Sequence, residues 1–342
     1  MFYNPAMAMD RDLSVAFVRA WSDLVPERRT AWEMMAATGA RGLRLLTESQ
    51  AFEAFTLTEA NPEAARVLAE NARAHPGARA LVADAHRVPE GAPFDYVDLD
   101  PYGTPAPFVA TALSAIRTGG VLAVTATDMM VLAGVQPRAC ERRYGATPIR
   151  GRLGPEGGLR ILLAYLAREA RRQGRTVRSL LSYVHDHHVR AFVEIGRAGP
   201  GTDPIDRIDP RQWEGPHLGE GTSYGPLWLG PLFEPTLVRA LRSPPTAARP
   251  EETEAFLARL QEEVRADVPF YYESNVLSAA LAIPFPPPIA SFLERLRSEG
   301  FRAARTHARP EGFRTDAPRA VVERLARELA GPLQSQKARV RA

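Results

Sequence analysis

The feature that most constrains the fold is a regular alternation of apolar, strand-like segments with amphipathic, helix-like segments between residues 29 and 172. Three of the strand-like segments end on an acid, at Glu59, Asp84 and Asp100. Such alternation predicts an α/β fold with a doubly wound, Rossmann-like parallel sheet. Ligands of these sheets bind outside the carboxyl ends of the strands. The three acids therefore predict a ligand site at that edge.

The length and composition predict two domains. A chain of 342 residues is long enough for both, and its texture changes after Ala198, where Gly, Pro and Asp become frequent. Helical and strand-like segments resume further along the chain. We expect a catalytic domain at 1–198 and a smaller α+β domain at 199–342.

Several classes of protein are disfavoured. No apolar run reaches the roughly 18 residues of a membrane-spanning helix, and the N-terminal segment carries early acids without the basic region of a signal peptide. We expect a cytoplasmic protein without a membrane partner. Cys140 is the single cysteine, which excludes a disulfide framework and a multi-cysteine zinc site.

The basic residues are almost all arginine. The formal net charge is +3, and Lys337 is the one lysine among 43 Lys and Arg residues. The planar guanidinium suits contacts with phosphate. A GC-rich codon bias explains the same composition equally well.

A glycine turn after the first strand indicates a nucleotide-type ligand. Gly39 and Gly42 open a helix, but the middle glycine of the dinucleotide fingerprint is missing, which weakens an NAD hypothesis. Glycine-poor turns of this kind occur in enzymes that bind S-adenosylmethionine. Glu59 then stands where an acid would take the ribose hydroxyls, and Asp84 could meet the adenine amine. The alternative is that these acids only cap helices or face solvent.

The stretch "DLDPYG" predicts a site for an aromatic amine. The lone pair of such an amine is delocalised into its ring, so a carboxylate at Asp100 would accept an N–H bond and stabilise the charge that develops on nitrogen. Pro101 would fix the turn, and Tyr102 would offer a ring for stacking. Asp98 is as consistent with a structural role as with catalysis. A simple Asp-Pro turn is the alternative for Asp100.

Two further clusters have less specific patterns. In the stretch "SYVHDHHVR", an uninterrupted strand would place His185 and His187 on one face, which is a poor metal site, so we expect packing or a polar RNA-facing surface there. Near the C-terminus a group of basic residues would either grip phosphates or form a solvated surface. That group comprises Arg302, Arg305, Arg309 and Arg314, with His307 among them.

With these residues in view, the chain resembles the tRNA guanine-26 N2-dimethyltransferase family. The stretches "FYNPAMAMDRDLSVAFVRAW", "AATGARGLR", "EGGLRILLAYLAREA" and "RTHARPEGFRTDAP" are similar to blocks of that family. The combination of "DLDPYGTPAPF" with "VTATDMMVLAG" is its most specific part. The resemblance implies a methyltransferase sheet and transfer of methyl groups from S-adenosyl-L-methionine to the exocyclic N2 of guanine 26 in tRNA, which is the expected partner.

The resemblance also assigns roles to individual residues. Asp100 would hold the guanine amine, and Phe2 and Tyr102 would form aromatic walls around the base. The cofactor site would include the turn at Gly39, and the residues carried over to S-adenosylmethionine are Arg11, Arg41, Glu59, Asp84 and Ala85.

The chain also departs from the family pattern. Many relatives carry a four-cysteine zinc cluster that would fall within residues 199–224, where this chain has no cysteine, so no metal is expected. Glu59 and Tyr102 stand where aspartate and phenylalanine are usual. The alternatives are an amino-methyltransferase for rRNA guanine or DNA adenine, a non-catalytic RNA-binding relative and, more distantly, an NAD oxidoreductase.

Overall fold

The structure, a computed structural model, describes residues 3–25, 29–199, 201, 203–221 and 223–340, with side chains described as far as residue 330. Its centre is a sheet of seven strands in the order β3–β2–β1–β4–β5–β7–β6. In this sheet β7 runs opposite to the other six strands. The strands are β1 (Arg29–Glu33), β2 (Phe52–Glu59), β3 (Ala78–Val82), β4 (Phe94–Leu99), β5 (Ile116–Ala126), β6 (Arg175–His185) and β7 (His188–Arg197).

Helices connect the strands and cover the sheet. The middle strand β4 is buried along its whole length, as expected of a parallel strand covered on both faces. The helices associated with this sheet are α1 (Ala8–Leu24), α2 (Ala40–Ser49), α3 (Pro62–Ala72), α4 (Val109–Ala115), α5 (Met129–Leu132), α6 (Pro137–Tyr144) and α7 (Gly154–Arg172).

Local signals explain where the elements begin and end. The predicted N-cap at Asn61 is confirmed, because its Oδ1 accepts hydrogen bonds from the backbone N–H groups of Glu63 at 2.9 Å and Ala64 at 3.3 Å. Pro62 occupies the first helical position, where a missing N–H is harmless. The predicted strand–helix alternation is confirmed, and the departure from a purely parallel sheet comes from the tight β6–β7 hairpin.

A second, smaller unit of mixed α and β structure follows. A three-stranded antiparallel sheet of order β10–β12–β11 packs with three helices around its own apolar core. The elements after β7 are β8 (Ile205–Ile208), β9 (Tyr224–Trp228), α8 (Pro235–Ala240), α9 (Pro250–Glu263), β10 (Tyr272–Glu273), α10 (Ser274–Ala280), α11 (Ile289–Ser298), β11 (Ala303–Arg305), β12 (Gly312–Thr315) and α12 (Arg319–Val340).

The two apolar cores divide at Tyr271 and Tyr272. The larger core extends from Met9 to Tyr271, and the smaller one runs from Tyr272 to Ala330. The segment from β8 to α9 therefore packs on the large sheet unit, although the composition changes at Ala198. None of the described helices is long and apolar enough to cross a bilayer.

Candidate active site

Glu33, Asp98 and Asp100 lie close together at the carboxyl edge of the sheet. In the register of the parallel strands, Glu33 at the end of β1 lies beside Asp98 of β4. Asp100 follows two residues later, just beyond the end of β4. The side chains at this edge differ sharply in exposure, because Asp98 is fully buried and Asp100 is 23% exposed.

Asp98 is held by two arginines. Its Oδ2 accepts hydrogen bonds from Arg190 Nη2 at 2.6 Å and from the Tyr96 hydroxyl at 2.8 Å, and its Oδ1 accepts one from Arg41 Nη1 at 3.2 Å. Burial alone raises the pKa of Asp98, but Arg190 and Arg41 outweigh it and leave the pKa below its usual value. Both oxygens are therefore occupied, and Asp98 takes the structural role.

Within the part of the chain that the structure describes, only one carboxylate oxygen of Asp100 is hydrogen-bonded. Its Oδ2 accepts a short hydrogen bond from Nη1 of Arg41, whose side chain is 6% exposed. Within the described residues, Oδ1 of Asp100 accepts no hydrogen bond, and the side chain is partly open to solvent. Arg41 therefore joins Asp98 and Asp100, while one oxygen of Asp100 stays available for a ligand.

The turn after Asp100 projects an aromatic ring. Tyr102 is fully exposed, and Gly103 follows it with φ +97°, a left-handed conformation that favours glycine. The backbone N–H of Gly103 donates to Thr127 Oγ1 at 2.7 Å, and the Thr127 N–H donates to the Gly103 carbonyl at 2.9 Å. The turn is thus fixed to the end of β5 while the ring of Tyr102 stays free.

The second specific stretch, "VTATDMMVLAG", contributes residues that the sequence analysis did not single out. The Tyr144 hydroxyl donates to Asp128 Oδ1 at 2.9 Å and lies 2.7 Å from Thr104 Oγ1. Asp128 and Thr104 come from the two stretches whose pairing distinguishes the resemblance. Tyr144 therefore links the two stretches through hydrogen bonds, but nothing local in the sequence points to Tyr144.

The acid at the end of β2 supports the turn that precedes α2. Glu59 Oε2 accepts a hydrogen bond from the backbone N–H of Ala37 at 2.9 Å, and its Oε1 accepts one from that of Asn61 at 2.8 Å. Ala37 has φ +46° and Gly39 has φ +79°, so this turn depends on anchors of this kind. This position beside the turn is compatible with both roles considered for Glu59, as a ligand of the ribose and as a cap.

Gly42 is required by close packing of α2 on the sheet. A Cβ at this position would lie 2.4 Å from Leu57 Cδ2 and 2.6 Å from Glu33 Oε2. The carboxylate of Glu33 accepts a hydrogen bond from the Gly42 N–H at 3.1 Å. Burial, together with the charge of Asp98, raises the pKa of Glu33 to about 8, so a neutral acid caps this end of α2 at neutral pH.

The acid after β3 is open to solvent. Asp84 is 62% exposed, and its Oδ1 lies 2.8 Å from both the backbone nitrogen and Nδ1 of His86. The next residue, Ala85, is buried. Asp84 therefore lies outside the ion-pair network of Asp98 and Asp100 and faces the solvent side of the edge.

Arg11 lies on α1 and is nearly buried. It donates to the Asn4 carbonyl at 3.2 Å and to the Tyr3 hydroxyl at 3.1 Å. With Ala40 and Arg44 it lines a cavity of about 480 Å³. Glu59 and Asp100 do not line that cavity. Phe2, the other residue assigned to the base, lies outside the described residues.

The expectation for the histidine stretch was wrong in its geometry. The strand does not continue through it, because β6 ends at His185 and β7 begins at His188. In the hairpin register His185 pairs with His188, so these two side chains are neighbours, while His187 in the turn is exposed. Periodicity cannot reveal a two-residue turn that contains neither glycine nor asparagine.

Some residues of the C-terminal basic cluster lie at the surface and others are buried. Arg314 is fully buried in ion pairs with Glu156 and Glu263, so it cannot contact a phosphate. His307 is also buried, with its Nδ1 2.6 Å from Glu263 Oε2. Arg302 and Arg309 are exposed, and Arg305 is half-buried. These three residues are the members of the cluster that can contact a phosphate or solvent.

The sheet order with an antiparallel β7, and the acids at the carboxyl ends of β2 and β4, define a class I methyltransferase fold. The family model for N2,N2-dimethylguanosine tRNA methyltransferases matches residues 1–204 and 211–327. The chain therefore belongs to the N2,N2-dimethylguanosine tRNA methyltransferase family.

Individual relatives agree with this assignment. A tRNA (guanine(26)-N(2))-dimethyltransferase of Thermococcus kodakarensis is 37% identical, over 94% of this chain and 92% of its own length. That of Methanosarcina acetivorans is 32% identical, over 97% and 92%. A solved complex of Trm1 from Pyrococcus horikoshii with S-adenosyl-L-methionine superposes with a TM-score of 0.83 at 29% identity, covering 95% of this chain and 94% of that one. The predicted family and fold class are confirmed.

Proposed function

We propose that this chain is an S-adenosylmethionine-dependent tRNA (guanine(26)-N2)-dimethyltransferase that acts through Asp100. Family membership supports the reaction and the substrate. The observation that carries the residue assignment is the partly exposed Asp100, with one oxygen held by Arg41 and the other unbonded within the described residues. A carboxylate arranged in this way can receive a hydrogen bond without first breaking an internal one.

The role of Asp100 follows from the electronic structure of guanine. The N2 lone pair is delocalised into the ring, which makes the amine a weak nucleophile. The nitrogen gains positive charge as it donates this lone pair to a methyl group. The free oxygen of Asp100 accepts an N–H bond, orients the amine and stabilises that charge. It then takes the proton that the methylated nitrogen loses. The exposed ring of Tyr102 stacks on the flipped base, and Phe2 is proposed as the opposite wall.

The residues proposed for the cofactor fit its chemistry. When bound, S-adenosylmethionine supplies a methyl group on a sulfonium centre. Nε of Arg41 is buried without a hydrogen-bond partner in the described part of the chain, and a ligand carboxylate would satisfy it. Glu59, beside the Gly39 turn, is proposed to accept hydrogen bonds from the ribose hydroxyls. The exposed Asp84, next to Ala85, is proposed to accept one from the adenine amine. Arg11 completes the proposed set from α1.

Residues 199–342 are proposed as the tRNA-binding domain and residues 1–198 as the catalytic domain. Residues 199–342 contain the smaller unit together with the segment from β8 to α9, which packs on the large core. Phosphate contacts of exposed arginines such as Arg302 and Arg309 would offset the cost of unstacking guanine 26, which is a few kcal/mol. Because tRNA is the substrate, we expect the enzyme to act in the cytoplasm.

Methyl transfer by an Asp100→Asn variant tests the proposal. The substitution keeps the shape of the side chain but removes its negative charge. We expect transfer of labelled methyl to tRNA to fall by about 10²–10⁴-fold, while calorimetry shows S-adenosylmethionine binding close to that of the wild type. Glu53→Gln is the matched control, since Glu53 is an exposed acid at the opposite end of β2 and its loss should change neither quantity.

The substrate is tested with tRNA transcripts that differ only at position 26. The wild type should form dimethylguanosine, identified by mass spectrometry of nucleosides, on a transcript with guanine 26 and none on one with adenine 26. Preferential methylation of rRNA or of duplex DNA would contradict the tRNA assignment. An equal loss of cofactor binding and transfer in Asp100→Asn would instead place Asp100 in the cofactor site.

A further inference from the structure

Three potential metal ligands meet where helix α1 crosses the β6–β7 hairpin. Asp10 lies in the first turn of α1, and His185 and His188 face each other across the hairpin. Their ligand atoms all lie within 4.8 Å of one another. The cluster is separate from the ion-pair network of Asp98 and Asp100.

The geometry is close to that of a coordination site. His188 Nε2 lies 2.7 Å from Asp10 Oδ1, and His185 Nδ1 lies 3.4 Å from Asp10 Oδ2. The two imidazole rings are nearly perpendicular, at 87°, with centroids 5.5 Å apart. Bonds of about 2.0–2.2 Å to a tetrahedral ion place the ligand atoms roughly 3.4 Å apart, so small side-chain adjustments suffice.

Two atoms of the cluster, which lie 3.4 Å from each other, form no hydrogen bond within the described residues. Asp10 is 1% exposed, yet its Oδ2 has no hydrogen-bond partner among the described residues, and the same is true of His185 Nδ1. A buried polar atom that is left unsatisfied costs about 1–3 kcal/mol, and more if it is charged. These two atoms face each other, and a cation between them would satisfy both.

We propose that Asp10, His185 and His188 bind a divalent zinc ion. Two imidazole nitrogens and a carboxylate oxygen suit zinc or another first-row transition metal, whereas magnesium and calcium prefer oxygen ligands alone. His185 is 18% exposed, which leaves room for a water molecule as the fourth ligand. The ion ties α1 to the hairpin and is structural, since no residue assigned to methyl transfer belongs to the cluster.

This proposal replaces the expectation that the chain has no metal site. That expectation rested on the missing cysteine cluster and on His185 and His187 sharing a face, whereas the register pairs His185 with His188. It also concerns different residues from the cysteine cluster of some relatives, because no cysteine belongs to the site. The site does not depend on the proposed methyl transfer and would stand if that assignment failed.

Metal titration of the full chain tests the proposal. Purified protein stripped with a chelator is titrated with Co²⁺ alone, and Zn²⁺ then competes for the site. We expect one equivalent of Co²⁺ with the visible bands of a four-coordinate ion, displaced by Zn²⁺. His188→Phe should weaken binding by more than about 100-fold, because even residues that only support a metal ligand contribute 10–100-fold.

The neighbouring His187 supplies the matched control. It is exposed in the hairpin turn, so His187→Ala should bind Co²⁺ like the wild type. Asp10→Asn, which keeps the size of the side chain, serves as a second test if His188→Phe does not fold. The proposal is overturned if the wild type shows no stoichiometric site, or if binding survives His188→Phe and Asp10→Asn. Loss of the site in His187→Ala would also overturn it.

Discussion

The substitution Arg314→Met addresses how the small unit is joined to the large one. Arg314 on β12 is fully buried and pairs with Glu156 on α7, where Nη1 lies 2.9 Å from Oε1. Its Nε donates a short hydrogen bond to Glu263 on α9, and Nη1 also donates to the Val268 carbonyl at 2.8 Å. The methionine side chain is apolar and unbranched, so it removes the cation while filling much of its space.

The expected loss follows from the two carboxylates that remain. Removing one member of a buried ion pair costs about 3–5 kcal/mol, because a buried charge is left uncompensated. Glu156 keeps Arg160 Nε at 2.8 Å, and Glu263 keeps His307 Nδ1 at 2.6 Å. We therefore expect a loss in the free energy of unfolding near the lower end of that range, about 3 kcal/mol.

The effect should depend on pH. Burial raises the pKa of Glu263, but His307 and Arg314 outweigh it and hold the pKa well below its usual value. A depressed carboxyl pKa stabilises the protein above the unfolded-state pKa of about 4.3, and this contribution is lost as the pH falls. The deficit of Arg314→Met should accordingly be largest near neutral pH and shrink in acid.

Urea unfolding followed by tryptophan fluorescence measures the loss. Arg324→Met is the matched control, because Arg324 is 45% exposed and pairs with Glu328 at 2.8 Å on the surface. Exposed pairs contribute about 0–1 kcal/mol. A loss below about 1 kcal/mol in Arg314→Met, or an equal loss in both variants, would refute the reasoning that the buried network joins the two units.

Two more outcomes are expected. Burial and the charge of Asp98 raise the pKa of Glu33 to about 8. The free energy of unfolding should therefore fall as the pH rises from the unfolded-state pKa of about 4.3 towards 8. In urea unfolding across that range Glu33→Gln should lack this decline, and parallel stability–pH curves for the two proteins would contradict the prediction. Arg309→Ala should weaken tRNA binding and reduce the salt slope by about one, as measured by filter binding at several salt concentrations, whereas the exposed Arg73→Ala should leave both unchanged.

Much of the large unit was predictable because its signals are local. The capping of α3 by Asn61 and the glycine turn at Gly39 use neighbouring residues, and an apolar run such as β4 needs no partner to be recognised. The edge where the acids meet was predictable for the same reason, since parallel strands bring their carboxyl ends together. The segment after Ala198 was harder to interpret, because its packing against the large core leaves no periodic trace.

The amino-acid sequence by itself determined the order of strands and helices and the family, and it predicted the edge that carries the proposed site, since these depend on residues close together in the chain. Tertiary structure alone decided which acid is free. Asp98 and Asp100 are two residues apart. Arg190 of β7 binds the carboxylate of Asp98, whereas Arg41 binds one oxygen of Asp100 and the other accepts no hydrogen bond from the described residues. The same holds for Asp10, which lies beside His185 and His188 of the hairpin, because contacts between residues far apart in the chain leave no local pattern.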